Sequence, residues 1–522
     1  MGSRTLGGVL LHQIVEFAAA AEPHSTALVS GDRRWTFAGL AELVDRFGSA
    51  VAALVEPGER VAVVADNTPA YVAALYAVPR AGAVLAMGNT RHTPAELADM
   101  LRSCGASVVL GAAEQLERLA PLATDLPAVR HWLDLDALAD GVAPVAAPHD
   151  AAEHDTAWLI HTSGTTGRPK GAMLTHRSLE AAVLNTTMAR PVANDDVYLF
   201  PFPLFHVAAY NVVHHHLRRR PVVLLPRFDP VAVMTAVEDE RVTSVSLAPT
   251  MVSMLLDHPD RPLHDLSSLR QIGYGAAAMP LDLLRRTLSE LPRVGLAQGY
   301  GMTELSGNAV FLGPDEHRRA AAGEPDLLAA AGRPAPLVQL RLVDDDGVEV
   351  APGEPGEILV RGDQVCAGYW DDPDATTAAR TDGWFHTGDV GRIDPRGYLS
   401  IVDRKKDLII TGGENVSSRE VEDVVSEHPA VAAVAAVGIP DERWGERICA
   451  VVVWRDGHAA DPDGLIRWTE GRLAGFKRPR SVVSVDDLPV NASGKVEKRR
   501  VRELAAGQDR SGSSTGAAGR TR

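Results

Sequence analysis

The chain has 522 residues, 45% of them hydrophobic and 23% charged, which is more than a single hydrophobic core serves, so two or more domains are expected. Its 68 acidic residues outnumber 52 basic ones, for a formal net charge of -16, which argues against a general nucleic-acid or anionic-membrane binder. Any anionic ligand must therefore be held by local groups.

Through the first four hundred residues short β-rich runs alternate with Ala/Leu-rich stretches. The runs are Val61 to Ala65, Val108 to Leu110, Ala157 to His161, Val222 to Leu225 and Val245 to Ala248. This alternation predicts α/β layers. Pro69 to Ala77 and Pro230 to Glu240 read as helices, each with proline at its start, where the missing N–H costs little. Many loops then fall at strand ends, where such folds bind ligands. A second unit is expected from Asp403, after the strand-like Tyr398 to Val402, giving domains 1–402 and 403–504 joined by a compact hinge. The second reads as helix (Ser418 to Glu427), strands (Val431 to Gly438 and Ile448 to Trp454), helix (Asp463 to Leu473) and strand (Ser481 to Val485), a small α+β domain. The tail from Ala505 is Gly/Ser/Arg-rich and is expected to be disordered.

The three cysteines, Cys104, Cys366 and Cys449, lie far apart and form neither a disulfide framework nor a zinc spacing, which fits a reducing cytoplasm. The N-terminus lacks the layout of a signal peptide, and apolar runs such as Val72 to Met87 are interrupted by Pro79 and Arg80, so a soluble protein without a membrane span is expected.

The most specific segment runs Thr162, Ser163, Gly164, Thr165, Thr166, Gly167, Arg168, Pro169, Lys170, Gly171. Glycines let the backbone approach a phosphate and turn N–H groups toward it, hydroxyls donate hydrogen bonds, and Lys170 adds positive charge. The segment lacks the Gly-Lys-Ser/Thr of a Walker A loop. Further motifs follow in order: Pro203-Leu204-Phe205-His206, Gln298-Gly299-Tyr300-Gly301-Met302-Thr303-Glu304, Thr387-Gly388-Asp389, Asp403-Arg404-Lys405-Lys406-Asp407, Gly412-Gly413-Glu414-Asn415-Val416 and Ser493-Gly494-Lys495. With these motifs the chain resembles, over nearly its whole length, the adenylate-forming superfamily, and most closely its fatty-acyl and aryl-CoA ligases.

The resemblance implies an α/β fold: a large N-terminal domain of layered β-sheets and helices, with a small mobile α+β C-terminal domain. It also implies an ATP-, Mg2+- and coenzyme A-dependent acid:CoA ligase that forms an acyl-adenylate, releases pyrophosphate and then makes a thioester. A carboxylate attacking the α-phosphate must overcome repulsion between anions, so positioning and positive charge should carry most of the catalysis. Lys495 matches the family lysine that reaches the carboxylate and α-phosphate. Glu304 matches the magnesium carboxylate, assisted by Thr165, and Thr303 would hold the α-phosphate. Asp389 and Arg404 are expected at the ribose, Tyr300 against adenine, and Gly275, Ala276 and Ala277 along the base, with Ala278 where the family has proline. His206 matches the position between acyl pocket and thiol channel. Asp403 matches the hinge, and Gly412 and Gly413 the loop that lines the thiol channel once Lys495 has left.

Candidates for the acyl pocket are His206, Val207, Tyr210, Asn211, Gly273, Tyr274, Gly275, Gly299, Gly301 and Asn308. The set is mostly apolar, holds several glycines and contains no Arg or Lys, so small residues leaving volume suggest a fairly large apolar acid, fatty or bulky-ringed. The triplet His214-His215-His216 is read as structural, since consecutive side chains diverge on a helix or strand. The partners expected are the acid, ATP and CoA, with a homodimer left open and no nucleic acid. Two alternatives stand beside this reading: a ligase that loads a carrier protein, disfavoured by the compact stretch Glu357 to Asp389, and an inactive acyl or nucleotide sensor, disfavoured because Lys495, Glu304 and Asp389 are all present.

Overall fold

The β-branched runs and the proline-initiated helices fold as alternating layers, and the computed structural model describes them over residues 8–513, apart from 145–146, 163–168, 276–278, 413, 442 and 491–495. Two compact units result. One comprises Met1–Leu340, Leu359–Phe385 and Arg396–Ser400, the other Arg341–Ile358, His386–Pro395 and Ile401–Arg522. The expected boundary at Asp403 falls just after Ile401, and the second unit takes in two earlier segments that the sequence did not separate.

In the first unit one sheet runs in the order His131–Asp134, Ala106–Gly111, Arg60–Val64, Val84–Met87, Thr156–Thr162, Lys170–Thr175. Its strands are parallel except the last pair, an antiparallel hairpin. A second sheet runs Ala330–Pro334, Gly307–Leu312, Gly295–Met302, Gln271–Gly275, Ser244–Ser246, Tyr198–Phe200, Val222–Leu224, Thr26–Ser30, Arg33–Thr36. Its middle is parallel from Gly295–Met302 to Thr26–Ser30. The strand order turns back at Tyr198–Phe200, whose two neighbours come later in the chain, and such a reversal opens a crevice at the carboxyl ends of the strands. His206, Gly275 and Thr303 all follow or end strands of this parallel set, so the topology carries them to one edge.

The main core joins residues of both sheets, among them Val61, Trp158 and Ile160 from the first and Leu28, Tyr198 and Phe200 from the second. Helix Pro69–Arg80 belongs to it and is buried from Ala70 to Arg80. Thr68 Oγ1 caps that helix by accepting from Tyr71 N at 3.2 Å, and Asp229 caps Pro230–Asp239 in the same way, accepting from Ala232 N at 2.9 Å. The outer face of the first sheet packs on helix Pro94–Cys104, and that of the second on helices Pro230–Asp239, Pro249–Asp257 and Leu281–Glu290.

In the second unit strands Val431–Asp441 and Gly445–Trp454 form a long hairpin, with Ser481–Ser484 parallel to the latter. Helices Ser418–Ser426 and Pro462–Trp468 cover one face, and Lys498–Ser513 packs Val501 and Ala505 on the other. This differs from the reading of the tail from Ala505 as disordered only as far as Ser513, to which the helix continues, with Val501 and Ala505, four residues apart, both on the sheet; residues 514–522 lie outside the described residues. No helix among the described residues is long and apolar enough to cross a membrane.

Candidate active site

The phosphate-loop candidate connects the two strands of the hairpin in the first sheet, whose Thr162 and Lys170 stand opposite each other. Ser163, Gly164, Thr165, Thr166 and Gly167 lie outside the described residues, as do Ala276, Ala277, Gly413 and Lys495. The stem of the loop is informative. Thr162 Oγ1 donates to Glu304 Oε1 at 3.2 Å, joining residues 142 positions apart. Glu304 stands in the 3-10 turn Thr303–Leu305 that ends strand Gly295–Met302.

Sequence reasoning missed one member of this group. Tyr369 donates its hydroxyl to the same Glu304 oxygen at 3.2 Å, and its ring lies 5.1 Å from Lys170 Nζ. It arrives there because the segment around it pairs with strand Lys170–Thr175: Trp370 N donates to Gly171 O and Ala367 N to Met173 O, each at 2.8 Å. Cys366 N donates to Glu304 O, bracing the turn from the same side. The thiol of Cys366 is buried, and burial pushes it up to about 12 with the Glu304 charge adding, so it is inert at neutral pH. All three cysteines are buried and none is in a disulfide among the described residues.

Both hydrogen bonds received by the Glu304 carboxylate among the described residues fall on Oε1, so Oε2 has no described partner. A hydroxyl and a carboxylate are hard oxygen donors of the kind magnesium takes, and that ion binds through one or two carboxylates completed by phosphate oxygens. The described residues contain no group of three or more His, Cys, Asp or Glu side chains able to cage a metal, and the hydroxyl and carboxylate present fit a magnesium whose other ligands are phosphate oxygens.

The strand before Glu304 divides its residues between two faces. Tyr274 and Gln298 share one, where the Tyr274 hydroxyl lies 3.2 Å from Gln298 Oε1 and 2.7 Å from His317 Nε2. The Tyr274 ring joins the core under the outer helices. Tyr300 alternates with Gly299 and Gly301 and shares the face of Gln298.

Gly273, Gly275, Gly299 and Gly301 were read as leaving volume, and the structure shows the opposite at each. A Cβ on Gly299 would lie 2.6 Å from Asn308 Cγ, one on Gly301 2.6 Å from Asn308 Cα, and one on Gly275 2.7 Å from Gly299 O. These glycines permit close packing of strands and side chains. Asn308 Nδ2 in turn donates to Tyr210 Oη at 3.1 Å, and Asn211, next in the helix, accepts from Arg190 Nη2 at 3.0 Å. His206 precedes the short turn Val207–Ala209, with its ring edge-on to Phe205 at 4.7 Å.

The histidine triplet is structural, as expected. His216 bonds the Tyr76 hydroxyl and Ala27 O, and His215 stacks on Tyr198 at 3.9 Å while bonding Asn211 O. Burial lowers all three imidazoles, and His214 has no hydrogen-bond partner for either ring nitrogen among the described residues.

In the second unit Asp389 is buried within strand Trp384–Ile393, just after Gly388, whose φ of +70 is a left-handed conformation that glycine adopts without penalty. Its Oδ1 lies 3.2 Å from Arg404 Nε, so the two residues expected at the ribose are held together. Asp403 points the other way: its Oδ2 accepts from Ser418 N at 2.6 Å and Ser418 Oγ at 2.7 Å, at the N-terminus of helix Ser418–Ser426, where a negative charge is favoured. Gly412, with φ +61, starts the two-residue connection between paired Thr411 and Glu414, and a Cβ there would lie 2.9 Å from the Trp444 ring.

Comparison with known proteins gives a consistent picture. The model of a family described as AMP-binding enzyme matches residues 15–370, and that of the AMP-binding enzyme C-terminal domain matches residues 420–495. The chain is 43% identical to a feruloyl-CoA synthase of Amycolatopsis sp, covering 93% of this chain and 96% of that protein. It is 38% identical to an indoleacetate–CoA ligase of Aromatoleum aromaticum, over 95% of this chain and 98% of the relative. Among solved structures, o-succinylbenzoate CoA synthetase from Bacillus subtilis in complex with its acyl-adenylate intermediate superposes with a TM-score of 0.85 at 29% identity, covering 94% and 97% of the two chains. The same enzyme with ATP and magnesium gives a TM-score of 0.83 at 29% identity, with coverages of 94% and 98%.

Proposed function

Because the chain belongs to the AMP-binding enzyme family, among its adenylate-forming acyl-CoA synthetases, we infer that it is an ATP-dependent carboxylic acid:CoA ligase. The acid's carboxylate displaces pyrophosphate from ATP to give an acyl-adenylate, and the thiol of CoA then displaces AMP to give the thioester. One observation carries this reading: Glu304, at the end of one sheet, is hydrogen-bonded to Thr162, at the mouth of the phosphate loop of the other.

Each group has a task that follows from its chemistry. Thr162 and Tyr369 hold the Glu304 carboxylate through one oxygen, which orients the other toward the phosphates. Magnesium, when bound, shields the charge that builds on the departing pyrophosphate. Lys170, against the Tyr369 ring, adds positive potential to the loop. Thr303 and Lys495 bind the α-phosphate during attack, Lys495 also taking the acid's carboxylate. Asp389 accepts from the ribose hydroxyls, with Arg404 fixing its orientation. His206 stands between acyl group and incoming thiol. The second step requires Lys495 to leave and the Gly412–Gly413 turn to line the thiol path, with the chain pivoting at Asp403.

For the acid, relatives named for ferulate, for indoleacetate and, in Mycobacterium tuberculosis, for a bicyclic propanoate favour a bulky, mainly apolar ring carboxylate over a small polar acid. Cysteines without a disulfide among the described residues suit a reducing cytoplasm. The test is pyrophosphate release and thioester formation over aliphatic, aryl and polycyclic acids, with and without CoA, in wild type and Lys495→Ala. CoA-dependent turnover of one acid class, lost in the variant, is expected. Pyrophosphate without thioester would point to a carrier protein as acceptor, and no turnover with any acid would overturn the assignment.

A further inference from the structure

Arg190 caps the C-terminus of helix His176–Ala189, and its guanidinium turns inward against the strands that carry the candidate site. Nη2 donates to Asn211 Oδ1 at 3.0 Å, and Nη1 lies 3.5 Å from Ser246 Oγ, which also accepts from the Tyr198 hydroxyl at 2.9 Å. A Cβ on Gly273 would overlap Nη1 and sit 3.5 Å from Cζ, so glycine at 273 is what makes room for this arginine. Two residues of the sequence-derived acyl set, Asn211 and Gly273, are therefore its immediate neighbours. The set that contained no cation acquires one from a helix end.

The surroundings leave the charge uncompensated. Asn211, Ser246 and Tyr198 are neutral, and the nearby imidazoles of His214 and His215 are kept unprotonated by burial, with the Arg190 charge adding to the effect. The described hydrogen bonds of the guanidinium go to Asn211 and Ser246, and no described carboxylate pairs with it. A partly buried guanidinium without a counter-charge is costly unless a ligand oxygen meets it. Its distance from the reacting end is set by the sheet. Gly273 pairs with Ala297, and at the rise of a strand the segment from Ala297 to Met302 places Arg190 on the order of 15 Å from the Thr303–Glu304 turn. That is too far to serve the carboxylate being activated.

We propose that Arg190 forms a specificity subsite that donates hydrogen bonds to an acceptor oxygen carried at the far end of the acid substrate. The acid is then bulky and mainly apolar in its middle, with a keto or carboxylate oxygen at the end opposite the reacting carboxyl. This rests on the acid-activating reading given above. A planar guanidinium presents a fork suited to either oxygen type, and Asn211 fixes its orientation.

The test compares matched acids in CoA-thioester formation: decanoate with 9-oxodecanoate and decanedioate, and 3-phenylpropanoate with its 4-acetyl and 4-carboxy derivatives. On whichever skeleton is turned over, wild type should favour an oxygenated acid by about 10- to 100-fold in kcat/KM, chiefly through KM. Preference for the ketone identifies a neutral carbonyl, and preference for the diacid a second carboxylate. Arg190→Met should bring the ratio to within about threefold, and Arg190→Lys should keep part of the preference. Equal loss on plain and oxygenated acids, or no preference in wild type, would overturn the subsite while leaving the ligase assignment intact. If no acid is turned over, the ligase assignment fails and the subsite with it.

Discussion

Replacing Gly301 with alanine tests whether the glycines before Glu304 serve packing or space. The added Cβ would sit 2.6 Å from Asn308 Cα and 2.8 Å from Gly307 C, both backbone atoms of the adjoining strand. Backbone cannot swing aside, so the pairs Gly301 with Asn308 and Met302 with Gly307 must part. Overpacking costs about 1–3 kcal/mol, and two lost ladder hydrogen bonds cost about 1 kcal/mol each. The variant should lose roughly 3–5 kcal/mol, visible as a fall of about 5 °C or more in apparent melting temperature. Because Met302 leads directly into the Thr303–Leu305 turn, pyrophosphate release should fall at least about 100-fold. Gly299→Ala is the internal comparison. Its nearest obstacle is the Asn308 side chain, which can rotate at the expense of its bond to Tyr210, so the expected loss is about 1–2 kcal/mol. Equal stabilities of wild type and Gly301→Ala, or a larger loss for Gly299→Ala, would refute the steric argument.

Glu304→Gln should lower magnesium-dependent pyrophosphate release by about 100-fold or more without lowering melting temperature by more than about 2 °C, because an amide oxygen can still accept from Thr162 and Tyr369; saturation with magnesium should not rescue it. Asp389→Asn should raise KM for ATP by roughly tenfold while kcat for the acid changes less, since the pair with Arg404 loses its charge; isotherms with AMP would report the same shift. Stability should fall as pH drops from 6.5 toward 4. His12, His161 and His176 are held by burial at about 4, so they stay neutral when folded while their unfolded counterparts take up protons below about 6.5. His176→Asn keeps an acceptor for Leu11 N and removes one titrating group, so melting curves between pH 6.5 and 4 should show a shallower slope. Asp403→Ala should destabilise the second unit by about 2–3 kcal/mol, read by local hydrogen exchange in helix Ser418–Ser426, because Ser418 N and Oγ lose their acceptor.

What could be read from the sequence was what a single segment carries. The hairpin bearing the phosphate loop follows from an apolar run, a Gly/Thr cluster and a second strand, all within twenty residues, and Glu304 and Asp389 sit in motifs whose chemistry is local. Helix starts were legible where a proline marks the first turn, as at Pro69 and Pro230, and their caps were found at Thr68 and Asp229. Tyr369 gave no such signal. It reaches Glu304 from 65 residues away through strand pairing that no spacing encodes. The stretch from Ala505 to Ser513 was missed for another reason: its Gly/Ser/Arg composition outweighed the short apolar stripe of Val501 and Ala505 that packs on the sheet.

Glycine and arginine show where composition misleads most. A glycine in a pocket motif admits two opposite readings, room for a substrate or room for the protein itself, and only the neighbouring atoms decide. At Gly299 and Gly301 the neighbours are Asn308 and the backbone of the next strand, so those positions specify how tightly the sheet closes beneath Glu304. At Gly273 the neighbour is a charged side chain from the end of another helix. The same residue type thus fixes structure at one end of the strand pair and chemistry at the other. Judging the acid by the polarity of the strand residues alone would make it wholly apolar. Adding the group that fills the space above Gly273 gives it an oxygen at its far end, because an unpaired guanidinium constrains its ligand more strongly than any apolar wall.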